Sequence, residues 1–184
     1  MKKVIGLDIS SSVIGYGIIE FDETNINLVK YGHIKPPGSE RGSLAFRGLE
    51  ASKSVRELLK KESPDAVAVE MYANRFSAGR SSARTIIVLS FFNELMSLTS
   101  LDSIGIETDK YTVANIRSTI SKHLKNKSIS KDQIFEVIKS TFPTFTPRVN
   151  KNGNIGSESF DQADAIAVAF CHAIVKQKIG VKSV

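Results

Sequence analysis

Two short apolar runs that close on carboxylates constrain this chain more than any other feature. Lys3–Ile9 is apolar almost throughout and carries Asp8 near its end, within VIGLDISSSVIGYGII. Ala66–Glu70 reads AVAVE and ends on Glu70. Runs this short and this apolar read as strands covered on both faces. A carboxylate at the end of a buried strand costs free energy unless something pairs with it. Between the two lies Ser43–Glu62, whose apolar residues recur at helical spacing. A helical crossover of that kind makes the two strands parallel.

The rest of the chain can be arranged around that pair. Gly15–Phe21 and Leu28–Lys35 follow the first run with the polar turn Asp22–Asn27 between them, and Pro36-Pro37-Gly38 ends the third. Three strands with short links read as an antiparallel meander. Ser81–Leu98 reads as a second long helix whose apolar residues cover more than one stripe. One side can pack on the sheet, and a second copy of the chain would cover the other, so a homodimer is expected. Ile104-Gly105-Ile106 reads as the fifth strand, Thr112–His123 and Ser130–Ser140 as shorter helices, and Thr141–Gly156 as a mobile loop. Ser159 and Gln162 match a capping box, which would start the last helix near Ser159. The expected fold is α/β: a mixed five-stranded sheet, three strands antiparallel and then parallel ones, flanked by helices. The first strand would lie centrally beside the fourth, and residues 1–184 would form a single domain.

Composition narrows the classes. A chain of 184 residues, 41% hydrophobic and 24% charged, is long enough for a real core and ordinary for a soluble protein. No apolar run approaches the roughly 20 residues of a membrane span, so no membrane partner is expected. The start, MKKVIGLD, reads as a first strand rather than a signal peptide, and a cytoplasmic setting is expected. The lone cysteine, Cys171, excludes an internal disulfide and a cysteine zinc site, and it reads as a buried structural thiol. The net charge of +6 is uneven: residues 110–151 hold nine Lys and Arg against Asp132 and Glu136, a local net of +7. Such a face suits nucleic acid, although a solvated lysine surface would have the same composition.

Asp161 and Asp164 lie i, i+3 in FDQADAIAVAF and share one face of the last helix. Singly, each acid has a plainer reading. Asp8 could cap a turn, Glu70 could be a surface charge, and Asp161 could favour the helix dipole. Together, carboxylates from separate elements that converge repel one another unless divalent cations sit between them. That chemistry suggests a two-metal nuclease using magnesium, with manganese able to substitute. His33, His123 and His172 have no metal-ligand spacing, and His172 reads as structural.

These segments resemble the RuvC-type Holliday junction resolvases, a family of ribonuclease H-like nucleases. GLDISSSVIGYGIIE is similar to the family's first strand and hairpin, AVAVE to its fourth strand, and FDQADAIAVAF to its closing helix with D-x-x-D-A. SKDQIFEVI resembles a segment of type A-x-K-x-Q-V. The resemblance runs from about residue 3 to residue 175. It implies that Asp8, Glu70, Asp161 and Asp164 hold two magnesium ions in each subunit and that Lys131 contacts DNA. Where the family often has an aromatic wedge this chain has Ala73, flanked by Tyr72 and Phe76, with Phe76 the better candidate for stacking on a base. Arg75, Arg80 and Arg84 are candidate phosphate contacts. Arg117 and Lys110 are the nearest matches to a second basic position.

The implied activity is paired cleavage of four-way or related branched DNA by a homodimer, serving recombination and repair. A ribonuclease H shares the acids but not the broad apolar helix. A sugar-kinase-like or actin-like ATPase would carry glycine and threonine after the first Asp, where this chain has Ile9-Ser10-Ser11-Ser12. A catalytically silent DNA-binding module would not need all four carboxylates.

Overall fold

A computed structural model describes residues 1–71, 83–125 and 128–181, with the backbone alone at Lys131 and 178–181. The chain opens with β1 (Lys2–Ile9), β2 (Ile14–Phe21) and β3 (Ile26–Ile34). Then come α1 (Leu44–Glu62), β4 (Ala66–Glu70), α2 (Ala83–Ile104) and β5 (Thr108–Tyr111). Helices α3 (Val113–His123), α4 (Ile134–Thr141) and α5 (Ser157–Val181) complete it. The sheet order is β3-β2-β1-β4-β5. β1 to β3 form an antiparallel meander, and β4 runs parallel to both β1 and β5.

Local chemistry sets the boundaries. The hairpin after β1 is closed by Ser10, whose Oγ accepts from Val13 N at 3.0 Å and donates to Val13 O at 2.7 Å. Ser43 caps α1 by accepting from Phe46 N. The expected fifth strand, Ile104-Gly105-Ile106, is instead the stop of α2. Gly105 takes φ +72 and bonds to Leu101 O at 2.9 Å, and Ser100 Oγ donates to Ile106 O at 2.7 Å. β5 follows as TDKY, a short polar strand on the sheet edge.

Two other sequence expectations fail. α5 starts at Ser157, so Ser159 already lies in its first turn. Its Oγ accepts from Arg148 N at 3.1 Å rather than capping the helix, and Gln162 Nε2 donates to His33 Nδ1 at 2.9 Å. The segment before α5 is also more ordered than a mobile loop. Phe142 and Phe145 are buried, Thr146 N bonds to Tyr31 OH, and Val149 bridges Ile155 around a turn held by Asn150.

Helices cover both faces of the sheet. Alternate residues of β1 and β4, Ile5, Leu7, Val67 and Val69, pack against α1 and α2. Val4 and Ala68 face α3, α4 and α5. α5 lies almost in backbone contact with the sheet. A Cβ on Gly6 would strike Ala165 O, and one on Gly15 would strike Asp161 O. Cys171 is fully buried in this helix, as the sequence suggested, and burial pushes its thiol pKa up to about 11.

α2 departs from the sequence reading in length and in character. It has 22 residues and is the one described helix long and apolar enough, by length and composition alone, to cross a membrane. Here it packs on α1, tied to it by an Arg56–Asp102 ion pair of 2.7 Å. Ile87, Leu98 and Leu101 form an outward stripe, 64%, 60% and 45% exposed.

Candidate active site

Strand pleating decides where the first two acids point. Leu7 and Val69 are paired across β1 and β4, and both face α1 and α2. The next residues, Asp8 and Glu70, therefore face α5, side by side at the same ends of neighbouring parallel strands. The α5 backbone crosses the sheet at Gly15, the partner of Asp8 on β2. That crossing brings Asp161 and Asp164 to the same place. All four carboxylates line one cavity of 200 Å³, closed by Val113, Ile116 and Arg117 from α3, Ile134 from α4, and Ala167.

The two candidates for the second basic position lie apart. Arg117 lines the carboxylate cavity, whereas Lys110 is held by Glu94 of α2 at 2.7 Å. Lys131 opens a 3-10 turn (Lys131–Gln133) that leads directly into α4. Arg84 lies apart, in a cleft of 820 Å³ with Ser11, Ser43 and Arg47. Tyr72, Arg75, Phe76 and Arg80 lie outside the described residues.

Three contributors went unnoticed in the sequence. Asn93, 2% exposed on α2, donates from Nδ2 to Glu70 O at 2.9 Å. Arg47 donates to Ser11 O at 2.6 Å and to Pro37 O at 2.7 Å, tying the hairpin after Asp8 to α1. His33, through Gln162, braces the first turns of α5 against β3. An amide in an apolar helix and an arginine between Phe46 and Gly48 give no local sign of such roles.

Burial raises the pKa of Asp161, and nearby His33 opposes that rise. His172 is the structural residue it was expected to be. It is 1% exposed, with Nδ1 3.2 Å from Tyr111 OH and 3.5 Å from Asp109, and burial lowers its pKa to about 4.

A model of the family described as Crossover junction endodeoxyribonuclease RuvC matches residues 4–172. The chain belongs to this family. RuvC of Dehalococcoides mccartyi is 27% identical over 179 residues, covering 92% of this chain and 91% of that protein. RuvC of Azorhizobium caulinodans is 28% identical over 177 residues, covering 94% and 90%. Among solved structures, Thermus thermophilus RuvC in complex with a Holliday junction substrate has a TM-score of 0.70 at 17% identity, covering 97% of this chain and 96% of that one. The yeast mitochondrial Holliday junction resolvase has a TM-score of 0.61 at 12% identity, covering 96% and 80%. At those identities the structures speak for the fold, the ribonuclease H-like fold of RuvC.

RuvC-family nucleases are metal-dependent. The donor set here fits a hard divalent cation: the acids around the cavity offer only oxygen, and burial of Asp161 disfavours its charged form without a counter-charge. Among the described residues no three His, Cys, Asp or Glu side chains stand close enough to share one ion directly. Magnesium keeps several of its waters, so carboxylates on the walls of a cavity can hold it partly through them.

Proposed function

We infer that this RuvC-family chain resolves Holliday junctions and related branched DNA, cutting phosphodiester bonds in pairs as a homodimer with two magnesium ions in each subunit. One observation carries this reading. Four carboxylates from β1, β4 and α5 meet an arginine from α3 around a single small cavity. Metal ions held there would supply the activation of a water and the stabilisation of the leaving oxygen of the broken bond. Asp8, Glu70, Asp161 and Asp164 would hold them. Arg117 would draw the scissile phosphate inward and offset its charge, and Lys131 would contact the backbone farther along. The stripe Ile87, Leu98 and Leu101 supports the dimer, because a two-fold axis can pair such a stripe with itself. A four-way junction offers two equivalent strands to two such sites.

The test is cleavage of a labelled four-way junction in magnesium, with linear duplex and an RNA–DNA hybrid as controls. Paired cuts in the junction are expected. Asp8→Asn and Glu70→Gln should each lower the rate by orders of magnitude while leaving junction binding in place. Unimpaired cutting by either variant would remove the two-metal assignment, and preferential cutting of the hybrid would make this a ribonuclease H.

A further inference from the structure

We propose that Phe160 is a stacking platform for a DNA base next to the scissile phosphate, an inference that rests on the junction-cleaving function inferred above. Phe160 directly precedes Asp161 and lies i, i+4 from Asp164, so it stands on the Asp164 side of α5, one turn farther out. That turn is a rise of about 5.4 Å, a distance on the scale of a nucleotide. Its ring rests on Phe135, centroid to centroid 4.7 Å at 39°. Phe135 directly follows Ile134, which lines the carboxylate cavity. The aromatic pair therefore lies where α4 meets α5, each ring next in sequence to a residue that lines the cavity.

The two rings have different surroundings. Phe135 is 5% exposed and is backed edge-on by Phe145, itself 2% exposed. Phe160 is 47% exposed. One side of its ring is fixed by the core and the other is turned to solvent, which suits a flat ligand and lets Phe160 bury more apolar surface when one binds. Cations stand on both sides of the ring. Arg117 lines the cavity, and Arg148, with its side chain 81% exposed and only loosely paired with Glu158 at 4.0 Å, is pinned to the first turn of α5 by the bond from its N–H to Ser159 Oγ. An aromatic face beside cations that track a phosphate backbone is the usual way to hold a single-stranded nucleotide without reading its sequence. A strand drawn into the cavity by its phosphate would present an unstacked neighbouring base to Phe160.

The experiment uses four-way junctions carrying 2-aminopurine at successive nucleotides beside the cut. Asp8→Asn serves as the parent so that the DNA stays whole, and Phe160→Leu, Phe160→Ala and Phe160→Tyr are each added to it. The parent should change the fluorescence at one position adjoining the cut. Phe160→Tyr should keep that change. Phe160→Leu, which still covers Phe135 but cannot stack, should lose it and bind the junction about five-fold or more weakly. A melting temperature for each variant separates loss of stacking from loss of fold. Normal junction binding with an unchanged signal in Phe160→Leu overturns the platform alone. Failure of the unsubstituted chain to bind the junction overturns the inferred function, and the platform with it.

Discussion

Asn93 on α2 donates from its side-chain amide to the backbone carbonyl of Glu70, 2.9 Å away, at the last residue of β4. The bond fixes where the chain leaves the sheet, and so where the Glu70 carboxylate starts. The other half of the amide, Oδ1, is buried without a hydrogen-bond partner among the described residues, a condition that costs about 1–3 kcal/mol. Asn93→Leu removes both the useful donor and the unpaired acceptor. Its unfolding free energy should stay within about 1 kcal/mol of the parent while single-turnover cleavage slows. Asn93→Asp, which sets a carboxylate against a carbonyl, should lose stability as well. Full cleavage by Asn93→Leu would show that Glu70 needs no such brace.

Arg117 and Lys110 should behave differently although both are basic and near in sequence. Arg117→Ala should slow cleavage and flatten the log–log salt dependence of junction binding by roughly one, as should Lys131→Ala for binding. Lys110→Ala should do neither, since its ammonium is engaged by Glu94. Titrations at several salt concentrations give the slopes, and equal slopes for Arg117→Ala and the parent would take Arg117 off the DNA.

His172 makes stability depend on pH. Its folded pKa, lowered to about 4 by burial, lies below the ordinary value of 6.5. Asp109 favours its charged form, while Lys176 and Lys2 oppose it. A depressed imidazole contributes fully above its unfolded pKa, and the contribution falls away as pH drops from about 6.5 towards 4. The loss over that window is on the order of 3 kcal/mol at most, the free-energy equivalent of the gap between the folded and unfolded pKa values. Denaturant titrations across the same window should slope downward for the parent and less so for His172→Gln.

The outward stripe of α2 predicts the state of assembly. Leu98→Glu and Ile87→Glu place a charge on residues 60% and 64% exposed, so the fold should hold. Light scattering at micromolar concentration should change from dimer to monomer, and paired cutting should fall. A dimer unaffected by both substitutions would move the interface elsewhere.

Where the chain signals locally, the sequence was readable. β4 is bounded by Ser63-Pro64-Asp65 and runs apolar to Glu70, and its observed limits match. The three acidic segments were each visible because a carboxylate interrupts an apolar pattern. β5 was missed because TDKY is polar and pairs on one side only, with β4. The end of α2 was missed because LTSLDSI mixes polar and apolar residues without a break before Gly105. The capping box matched in sequence, but Gln162 had a better partner in His33, 129 residues away. The different settings of Arg117 and Lys110 were likewise hidden, since only tertiary structure brings Glu94 to Lys110.

The bare track of Gly6, Gly15 and Gly17 beneath α5 has a consequence for how this enzyme can vary. Sheet and helix meet there main chain to main chain, so the gap between Asp8 and the two aspartates of α5 is gauged by the backbone and not by side chains that could repack. Substitutions in either core can soften the protein and leave that gauge intact. A single methyl group at Gly15 would act on the gauge itself: it would meet the main chain at Asp161 O and C, so the start of α5, and with it the Asp161 carboxylate, would have to move off the sheet.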